Sequence, residues 1–188
     1  GHGMGGAQVQ RILLVCTANV DRSPMAEFLL KKMLAEEGIR CVEVSSRGVA
    51  ALENRPMSDT GQALLRSEDG ISAAGHRSRR IAEADVRDAD LVLAMEHSHV
   101  QWVCGAYPHA AERVFLLSSY GRVRDLGDIE DPAGQMGDAY YRTKREIQLA
   151  LTGALKRMRA EGIVARAMVA HLQAAADELT RAKRDRIA

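Results

Sequence analysis

One short segment of the chain, Arg11–Glu27, places a thiol and a guanidinium around a turn. An apolar run leads into Cys16, a polar loop follows, and Arg22 stands just before a helical pattern that begins at Pro24. A loop between a strand and a helix N-terminus directs backbone N–H groups and the positive end of the helix dipole at one point, which favours an anion. The same field stabilises a thiolate, the reactive form of cysteine. Because a guanidinium offers two parallel donors to phosphate oxygens, the segment predicts an oxyanion site with a nucleophile at its floor.

The interval from cysteine to arginine occurs a second time, between Cys41 and Arg47. The residues in between, VEVSS, favour a strand over a loop, and no Ser-Pro helix start follows them. An anion site needs the loop and the helix as well as the two side chains. Only the first occurrence is therefore interpreted as a functional site.

A cysteine that attacks phosphorus also needs an acid, because the leaving oxygen must be protonated as it departs. Asp131 is the candidate, since it precedes Pro132 within residues 125–138, a polar segment with three glycines. This composition favours a loop, and a carboxyl group on a loop can approach a bound substrate. Asp-Pro is also a common turn sequence, so the pair by itself leaves a purely structural role open.

Apolar runs and helical patterns alternate along the chain, which is typical of a parallel α/β sheet with helices on both faces. Ligands of such sheets bind at the carboxyl ends of the strands, and Cys16 lies at the end of the first apolar run. The predicted strands are Arg11–Cys16, Cys41–Ser45, Ala89–Met95 and Val114–Leu117. The predicted helices are Pro24–Glu37, Ser58–Asp69, His97–Gly105, Asp138–Glu161 and Val164–Arg186.

The composition excludes several classes of protein. Lys and Arg number 26 against 25 Asp and Glu, and this balance argues against a nucleic-acid binder. Three cysteines do not indicate a disulfide framework and fit a reducing cytoplasm better. No apolar run approaches the roughly 18 residues that a membrane span needs, so no membrane partner is expected.

Three segments are expected along the chain. Residues 1–8, which begin GHGMGG, are typical of an expression scar with a disordered N-terminus. Residues 9–162 form one domain, and residues 163–188 add a C-terminal helix whose apolar residues recur every three or four positions. Such a helix packs on the body of the protein or on another subunit, which makes a homodimer through this helix one expectation. A regulatory tail is the other.

Four motifs occur together and in order: VCTANVDRSPMAE, GHRSR, ADLVLAME, and DIEDP before a long helix. From about Arg11 to Gly162 the chain resembles the low-molecular-weight protein tyrosine phosphatase family. The resemblance implies a three-layer αβα fold around four parallel strands in the order 2-1-3-4, with the phosphatase domain over residues 9–162. It also implies hydrolysis of phosphotyrosine in a protein, or of a small phosphomonoester, through a cysteinyl-phosphate intermediate without metal or other cofactor.

The resemblance assigns a role to each matching residue. Cys16 matches the nucleophile, Arg22 the residue that grips the phosphoryl oxygens, and Asp131 the general acid that later activates water. Ser23 matches a hydroxyl that stabilises the thiolate. The phosphate cradle matches Thr17, Ala18, Asn19, Val20, Asp21, Arg22 and Ser23.

A supporting network is implied around Asn19, which matches a loop asparagine in the left-handed conformation, a state that asparagine tolerates better than most residues. Ser45 and His76 match the side chains that hold this asparagine.

Asp21 departs from the family pattern, because many members carry a second cysteine there that traps the nucleophile as a disulfide under oxidation. Reversible protection of that kind is therefore not expected. A carboxylate that pointed inward would repel phosphate. Asp21 is expected to point outward or to pair with an arginine.

The expected pocket walls also depart from the family pattern. Ala133 and residues 51–52 stand where family members usually carry aromatic residues that sandwich a phenyl ring. Some members act on phosphoarginine and share the VCTxN opening, but they carry threonine where this chain has Val20. Both phosphotyrosine and phosphoarginine therefore remain candidate substrates.

Two further functions are considered on the same scaffold. Thioredoxin-coupled arsenate reduction needs two more cysteines placed to relay a disulfide. Cys41 lies on a strand and Cys104 stands alone on its helix, which argues against it. The second is a phosphate-binding or interaction protein without turnover, suggested by Asp21 and the missing aromatic walls.

Overall fold

The computed structural model describes residues 9–188, so the expectation for residues 1–8 lies outside the described part of the chain. Its centre is a sheet of four parallel strands in the order β2-β1-β3-β4, which confirms the predicted fold. The strands are β1 (Gln10–Cys16), β2 (Val42–Gly48), β3 (Leu91–Ala94) and β4 (Val114–Leu116).

The helices lie on both faces of the sheet. Those predicted from the sequence are α1 (Arg22–Glu36), α2 (Asp59–Asp69), α4 (His97–Ala106), α6 (Gly137–Ala160) and α7 (Ile163–Ile187). Three short elements were not predicted: α3 (Glu83–Asp88), a 3₁₀ helix (Pro108–Arg113) and α5 (Leu117–Tyr120). Elements of four to six residues are too short to show a helical repeat in sequence.

Strand β1 shows why the fold has three layers, with the sheet between two layers of helices. Its side chains alternate between two hydrophobic cores, with Ile12 and Leu14 in one, and Leu13 and Val15 in the other. The first core also contains side chains of α1 and α6, and the second those of α3 and α4. A strand that is buried on both faces places Cys16, at its carboxyl end, only 2% exposed between the layers.

Helix α7 differs from the rest of the molecule in how little of it is buried. Only Ile163, Val164 and Ala167, in its first turns, are buried. Further along the helix, the large apolar side chains are more than half exposed: Met168, Val169, Leu172, Leu179 and Ile187. The predicted helix therefore forms, but only its beginning packs on the body. No helix within residues 9–188 combines the length and the hydropathy that crossing a membrane requires.

Candidate active site

The sulfur of Cys16 lies at the start of a tight loop that leads from β1 into α1. The backbone N–H of Asn19 donates to Sγ over 3.3 Å, and the hydroxyl of Ser23 lies 2.9 Å from it. The Asn19 side-chain amide donates to the same hydroxyl at 2.9 Å, so the Ser23 proton is free to point either at the sulfur or at the carbonyl of Arg47, 3.4 Å away, and the sulfur is the nearer of the two. The loop thus brings one backbone N–H and one hydroxyl to a single buried sulfur, and such groups are the surroundings that a nucleophilic thiolate needs.

Every polar group of Asn19 makes a hydrogen bond that helps to fix the conformation of the loop. Its φ angle of 56° is in the left-handed region, and its side chain is completely buried. Its side-chain oxygen accepts from the backbone N–H of Arg79 at 2.9 Å, and its carbonyl lies 2.8 Å from Nε2 of His76. The structure thus brings His76 to the predicted place.

The serine that supports Asn19 is Ser46, and the prediction of Ser45 is wrong. Ser46 accepts from the Asn19 amide at 2.9 Å and donates to Glu27 at 2.7 Å. Successive side chains of a strand point to opposite faces, so one step along β2 turns Ser45 away from the loop. Ser45 instead lines a separate cavity beside Asp85.

Gly48 lets β2 end directly against the loop. A side chain there would meet the Thr17 carbonyl oxygen at 2.5 Å and the backbone nitrogen of Asn19 at 2.9 Å. The carbonyls of Cys16 and Thr17 accept from the next two residues, Val49 and Ala50, at 2.9 Å each. The loop is therefore clamped from the side of β2 by main-chain contacts that leave no space for a Cβ atom.

Arg22 is buried, with 3% of its side chain exposed, and its charge is compensated. Nη1 donates to Glu96 at 2.6 Å and to the carbonyl of Ile129 at 2.8 Å. Nη2 lies 3.4 Å from the hydroxyl of Thr17 and 3.9 Å from the carboxylate of Asp131. A buried cation needs such partners. Glu96, the residue directly before α4, was missed by the sequence analysis although it ends the motif ADLVLAME.

Asp131 lies beside this guanidinium on the loop before α6. Its side chain is 47% exposed, and its Oδ1 accepts from the backbone N–H of Ala133 at 2.9 Å, which closes a local turn. The structure thus brings the predicted acid to Arg22, while the same Asp-Pro pair also forms the turn that was the alternative interpretation.

The residues just before Asp131 fix the position of this loop through burial and hydrogen bonds. Ile129 is fully buried, and its N–H donates to the carbonyl of Met95 at 2.9 Å. The carboxylate of Asp128 accepts from the backbone of His97 at 2.8 Å and lies 2.9 Å from its ring. Burial opposes the charge of Asp128, but these hydrogen bonds outweigh it and lower the pKa of that carboxyl.

Asp21 is buried, so the expectation that it points outward or pairs with an arginine is wrong. Only 6% of it is exposed, and its two oxygens accept from the hydroxyls of Ser58 (2.5 Å) and Tyr140 (3.3 Å). Burial raises its pKa, and the two hydroxyl hydrogen bonds oppose that shift. Ser58 also caps α2 by accepting from the N–H of Gly61 at 3.1 Å, so Asp21 ties the loop to α2 and α6.

His99, which the sequence analysis also missed, lies on the other side of the loop. It is 2% exposed on α4, and its Nε2 lies 2.7 Å from the Thr17 hydroxyl. Burial, with the nearby charge of Arg22, lowers the pKa of His99 to about 4, so the ring is neutral at neutral pH. The signal in the sequence was weak, because a histidine on a helix is most often an ordinary packed or exposed residue.

The side chains at the predicted wall positions are small or exposed aliphatic ones. Ala51 is buried, Leu52 is 66% exposed, and Ala133 is exposed. Within the cradle, Ala18 is exposed and Val20 is half-buried. These positions therefore supply no aromatic ring to stack on a substrate.

Neither of the other two cysteines is placed for a disulfide relay. All three cysteines are free, and Cys41 and Cys104 pack against the two different cores, on opposite faces of the sheet. Since a relay needs each thiol to reach the next, this arrangement argues against arsenate reduction by thiol exchange.

Comparison with known proteins gives consistent matches. The model of the family described as low molecular weight phosphotyrosine protein phosphatase matches residues 11–164. A protein-arginine-phosphatase of Bacillus subtilis (strain 168) is 36% identical over 148 residues, which cover 79% of this chain and 96% of that protein. The low molecular weight protein-tyrosine-phosphatase Etp of Escherichia coli (strain K12) is 34% identical over 137 residues, covering 73% and 86%.

Solved structures show the same similarity. The low molecular weight protein tyrosine phosphatase from T. tengcongensis superimposes with a TM-score of 0.73 at 35% identity, covering 78% of this chain and 98% of that chain. The YwlE arginine phosphatase from Geobacillus stearothermophilus gives a TM-score of 0.73 at 34% identity, covering 82% and 96%.

Proposed function

The chain belongs to the low molecular weight phosphotyrosine protein phosphatase family, and we propose that it hydrolyses phosphotyrosine in proteins through a cysteinyl-phosphate on Cys16. The observation that carries this proposal is the buried sulfur that accepts from the backbone N–H of Asn19 and lies 2.9 Å from the hydroxyl of Ser23, which can donate to it. A structural cysteine at a strand end has no need of such donors. A nucleophile does, because the thiolate is its reactive form.

The first step transfers the phosphoryl group to sulfur. The Sγ of Cys16 forms a bond to phosphorus while the bond from phosphorus to the leaving oxygen breaks. Asp131 gives its proton to that oxygen, so that tyrosine leaves as a neutral phenol. Arg22 and the backbone N–H groups of the loop stabilise the charge on the phosphoryl oxygens, which is the electrostatic role a metal plays in other phosphatases.

The second step regenerates the enzyme. Asp131, now ionised, takes a proton from a water molecule, whose oxygen attacks phosphorus as the sulfur–phosphorus bond breaks. Inorganic phosphate leaves, and the sulfur returns to the thiolate, which the Ser23 hydroxyl again stabilises. Exposure of Asp131, at 47%, supports this role because the acid must meet both substrate and water.

Phosphoarginine is the second candidate substrate, and the side chains around the entrance to the site favour it. The side chains at Leu52 and Ala133 offer no aromatic surface for a phenyl ring. The loop beside the site carries Asp128, Glu130 and Asp131, whose charges attract a guanidinium. Two of the relatives compared above are arginine phosphatases, at the same level of identity as the tyrosine phosphatases.

Rates measured side by side on a phosphotyrosine peptide and a phosphoarginine peptide of the same sequence test both candidates. Cys16→Ser serves as the control, since it retains the fold and removes the nucleophile. A faster rate on phosphotyrosine supports the main proposal, and a faster rate on phosphoarginine replaces it with the second. A wild-type protein that binds phosphate but turns over neither peptide would contradict both and support a binding protein.

We further propose a cytoplasmic location, because a nucleophilic thiol and two other free cysteines suit a reducing compartment. A homodimer through α7 is proposed as well, supported by the apolar side chains of Met168, Leu172 and Leu179 that the body leaves exposed. Sedimentation of the full chain and of a Leu172→Glu variant distinguishes a dimer from a monomer.

A further inference from the structure

We propose that His99 is a positioning residue for the reaction: it holds the Thr17 hydroxyl so that the hydroxyl proton is offered to a phosphoryl group bound over Cys16. The inference rests on the proposed function, since it concerns the same site. It adds a side-chain donor to the cradle and a residue, outside the loop, that orients this donor.

The hydrogen bonds of the His99 ring define which nitrogen carries its proton. The backbone N–H of Glu96 donates to Nδ1 over 3.1 Å, so Nδ1 must present its lone pair. The ring is neutral at neutral pH, because burial holds its pKa at about 4. A neutral imidazole that accepts at Nδ1 carries its one proton on Nε2.

The acceptor of that proton is the hydroxyl of Thr17. Nε2 lies 2.7 Å from Thr17 Oγ1, a short hydrogen bond, and 3.6 Å from the nearer carboxylate oxygen of Glu96. That carboxylate oxygen is already engaged by Arg22 at 2.6 Å. His99 therefore donates to Thr17 and accepts from Glu96, which fixes its ring between the loop and the start of α4.

Thr17 is left with a proton that neither neighbour can take. Its oxygen faces Nε2 of His99 and, at 3.4 Å, Nη2 of Arg22, and both of these nitrogens are donors. A hydroxyl has two lone pairs and one proton, so with both lone pairs approached by donors the proton must point elsewhere. Within residues 9–188 the structure records no protein acceptor for it.

The neighbours of the hydroxyl indicate which acceptor its proton can reach. Nη2 of Arg22 lies 3.4 Å from Thr17 Oγ1 and 3.9 Å from the carboxylate of Asp131, so Thr17 and the proposed acid both lie near the same terminal nitrogen of the guanidinium. A phosphoryl oxygen gripped by this guanidinium is an acceptor within reach of the Thr17 hydroxyl. Hydrogen bonds to an anion are about twice as strong as neutral ones, and they strengthen as charge develops on the oxygens.

Two substitutions of His99 separate this role from a merely structural one. Asparagine at 99 can keep the acceptor for the Glu96 N–H, since its Oδ1 matches Nδ1 of the ring, but it stops short of Thr17. Glutamine at 99 can place its Nε2 where the ring has Nε2, and so keeps the donor to Thr17 while it loses the acceptor. We expect kcat/KM for para-nitrophenyl phosphate to fall about 10-fold in His99→Asn and to stay within about threefold of wild type in His99→Gln. His171→Asn, at an exposed histidine of α7, is the matched control.

Thr17 completes a double-mutant cycle. Thr17→Val removes the hydroxyl at nearly constant volume and is expected to lower kcat/KM about 10-fold and to weaken inhibition by vanadate by a similar factor, whereas Thr17→Ser, which restores a hydroxyl, is expected to recover most of both losses. Adding His99→Asn to Thr17→Val should cost nothing further, because the histidine acts through the hydroxyl that is already gone.

Three outcomes overturn the inference: a fully additive double variant, a His99→Gln enzyme slower than His99→Asn, or a nitrogen-15 spectrum that places the His99 proton on Nδ1. The spectrum is measured on the wild type, so it remains decisive if a variant fails to fold. Failure of the proposed function is distinguishable, because then the wild type itself would neither turn over substrate nor bind vanadate.

Discussion

The loop that carries Cys16 and the loop that carries Asp131 meet at the same guanidinium but are built in opposite ways. In the first, Asn19 and Ser23 are fully buried and every polar group of Asn19 is hydrogen-bonded. In the second, the Asp131 side chain is about half exposed, and its carboxylate accepts one hydrogen bond, from the N–H of Ala133. Donors to a developing charge work best when they are fixed beforehand, whereas an acid that serves both substrate and water must stay accessible. The difference in burial therefore follows the difference in task.

The largest effect is expected when the fixed loop loses its sulfur. Cys16→Ser should lower turnover of para-nitrophenyl phosphate by more than about a thousandfold, because a neutral hydroxyl replaces the thiolate. The fold should persist, since serine is smaller and can keep the contact to Ser23; circular dichroism checks this. Residual turnover close to the wild-type rate would contradict the assignment of Cys16 as nucleophile.

Substitution of Asp131, on the accessible loop, should slow hydrolysis by an amount that depends on the leaving group. Asp131→Asn is expected to slow hydrolysis by about 10²- to 10⁴-fold for poor leaving groups such as alkyl phosphates, and much less for activated aryl phosphates, which leave without a proton. Asp138→Asn, at an exposed carboxylate in the first turn of α6, is the control. An equal loss across all leaving groups would mean that Asp131 is no general acid.

A pair of neighbouring serines tests how rigidly the first loop is held. Ser46→Ala removes one of the two acceptors of the buried Asn19 amide and should lower the free energy of unfolding by about 1–3 kcal/mol, and activity with it. Ser45→Ala, one residue earlier on the other face of β2, should change the free energy of unfolding by less than about 0.5 kcal/mol. Urea denaturation of both variants measures the contrast, and equal effects would refute the correction of Ser45 to Ser46.

The smallest effect is expected when Asp21, the buried carboxyl group of the first loop, is replaced. Burial raises the pKa of Asp21, so the folded state binds this proton more tightly than the unfolded state. The free energy of unfolding therefore loses a contribution as the pH rises from the ordinary carboxyl range through the raised pKa. The Asp21→Asn variant has no carboxyl group to titrate at this position. Its free energy of unfolding, relative to that of the wild type, should therefore be higher at pH 8 than at pH 4. Chemical denaturation at the two pH values measures the difference, and a relative stability that falls with rising pH would show that the carboxylate is net stabilised by Ser58 and Tyr140.

Much of the fold and site could be predicted because the signals are local. The apolar run into Cys16, the arginine six residues later and the helix start at Pro24 are consecutive in the chain, and they form β1, the loop and α1 as predicted. The alternation of the remaining strands and helices predicted a parallel sheet, and Asp131 was found by its Pro132 and its polar surroundings. The order of the four motifs indicated the family, and the comparisons then showed it.

Other features depended on partners far away in the chain. Asp21 was expected outside because a carboxylate beside a phosphate site is unfavourable, but Ser58 and Tyr140, from α2 and α6, supply hydroxyls that let it be buried. Glu96 and His99 gain their roles only because β3 lies next to β1 in the sheet. No interval in the sequence carries that information.

The sequence by itself determined the sulfur, the guanidinium, the carboxyl group and the elements on which they lie, because strand, loop and helix preferences are set by neighbouring residues. The tertiary structure decided which serine faces Asn19, where Asp21 turns, which histidine touches Thr17 and how much of α7 stays exposed. Each of these depends on the register of a strand or on the packing of distant elements, and burial exists only once the chain has folded.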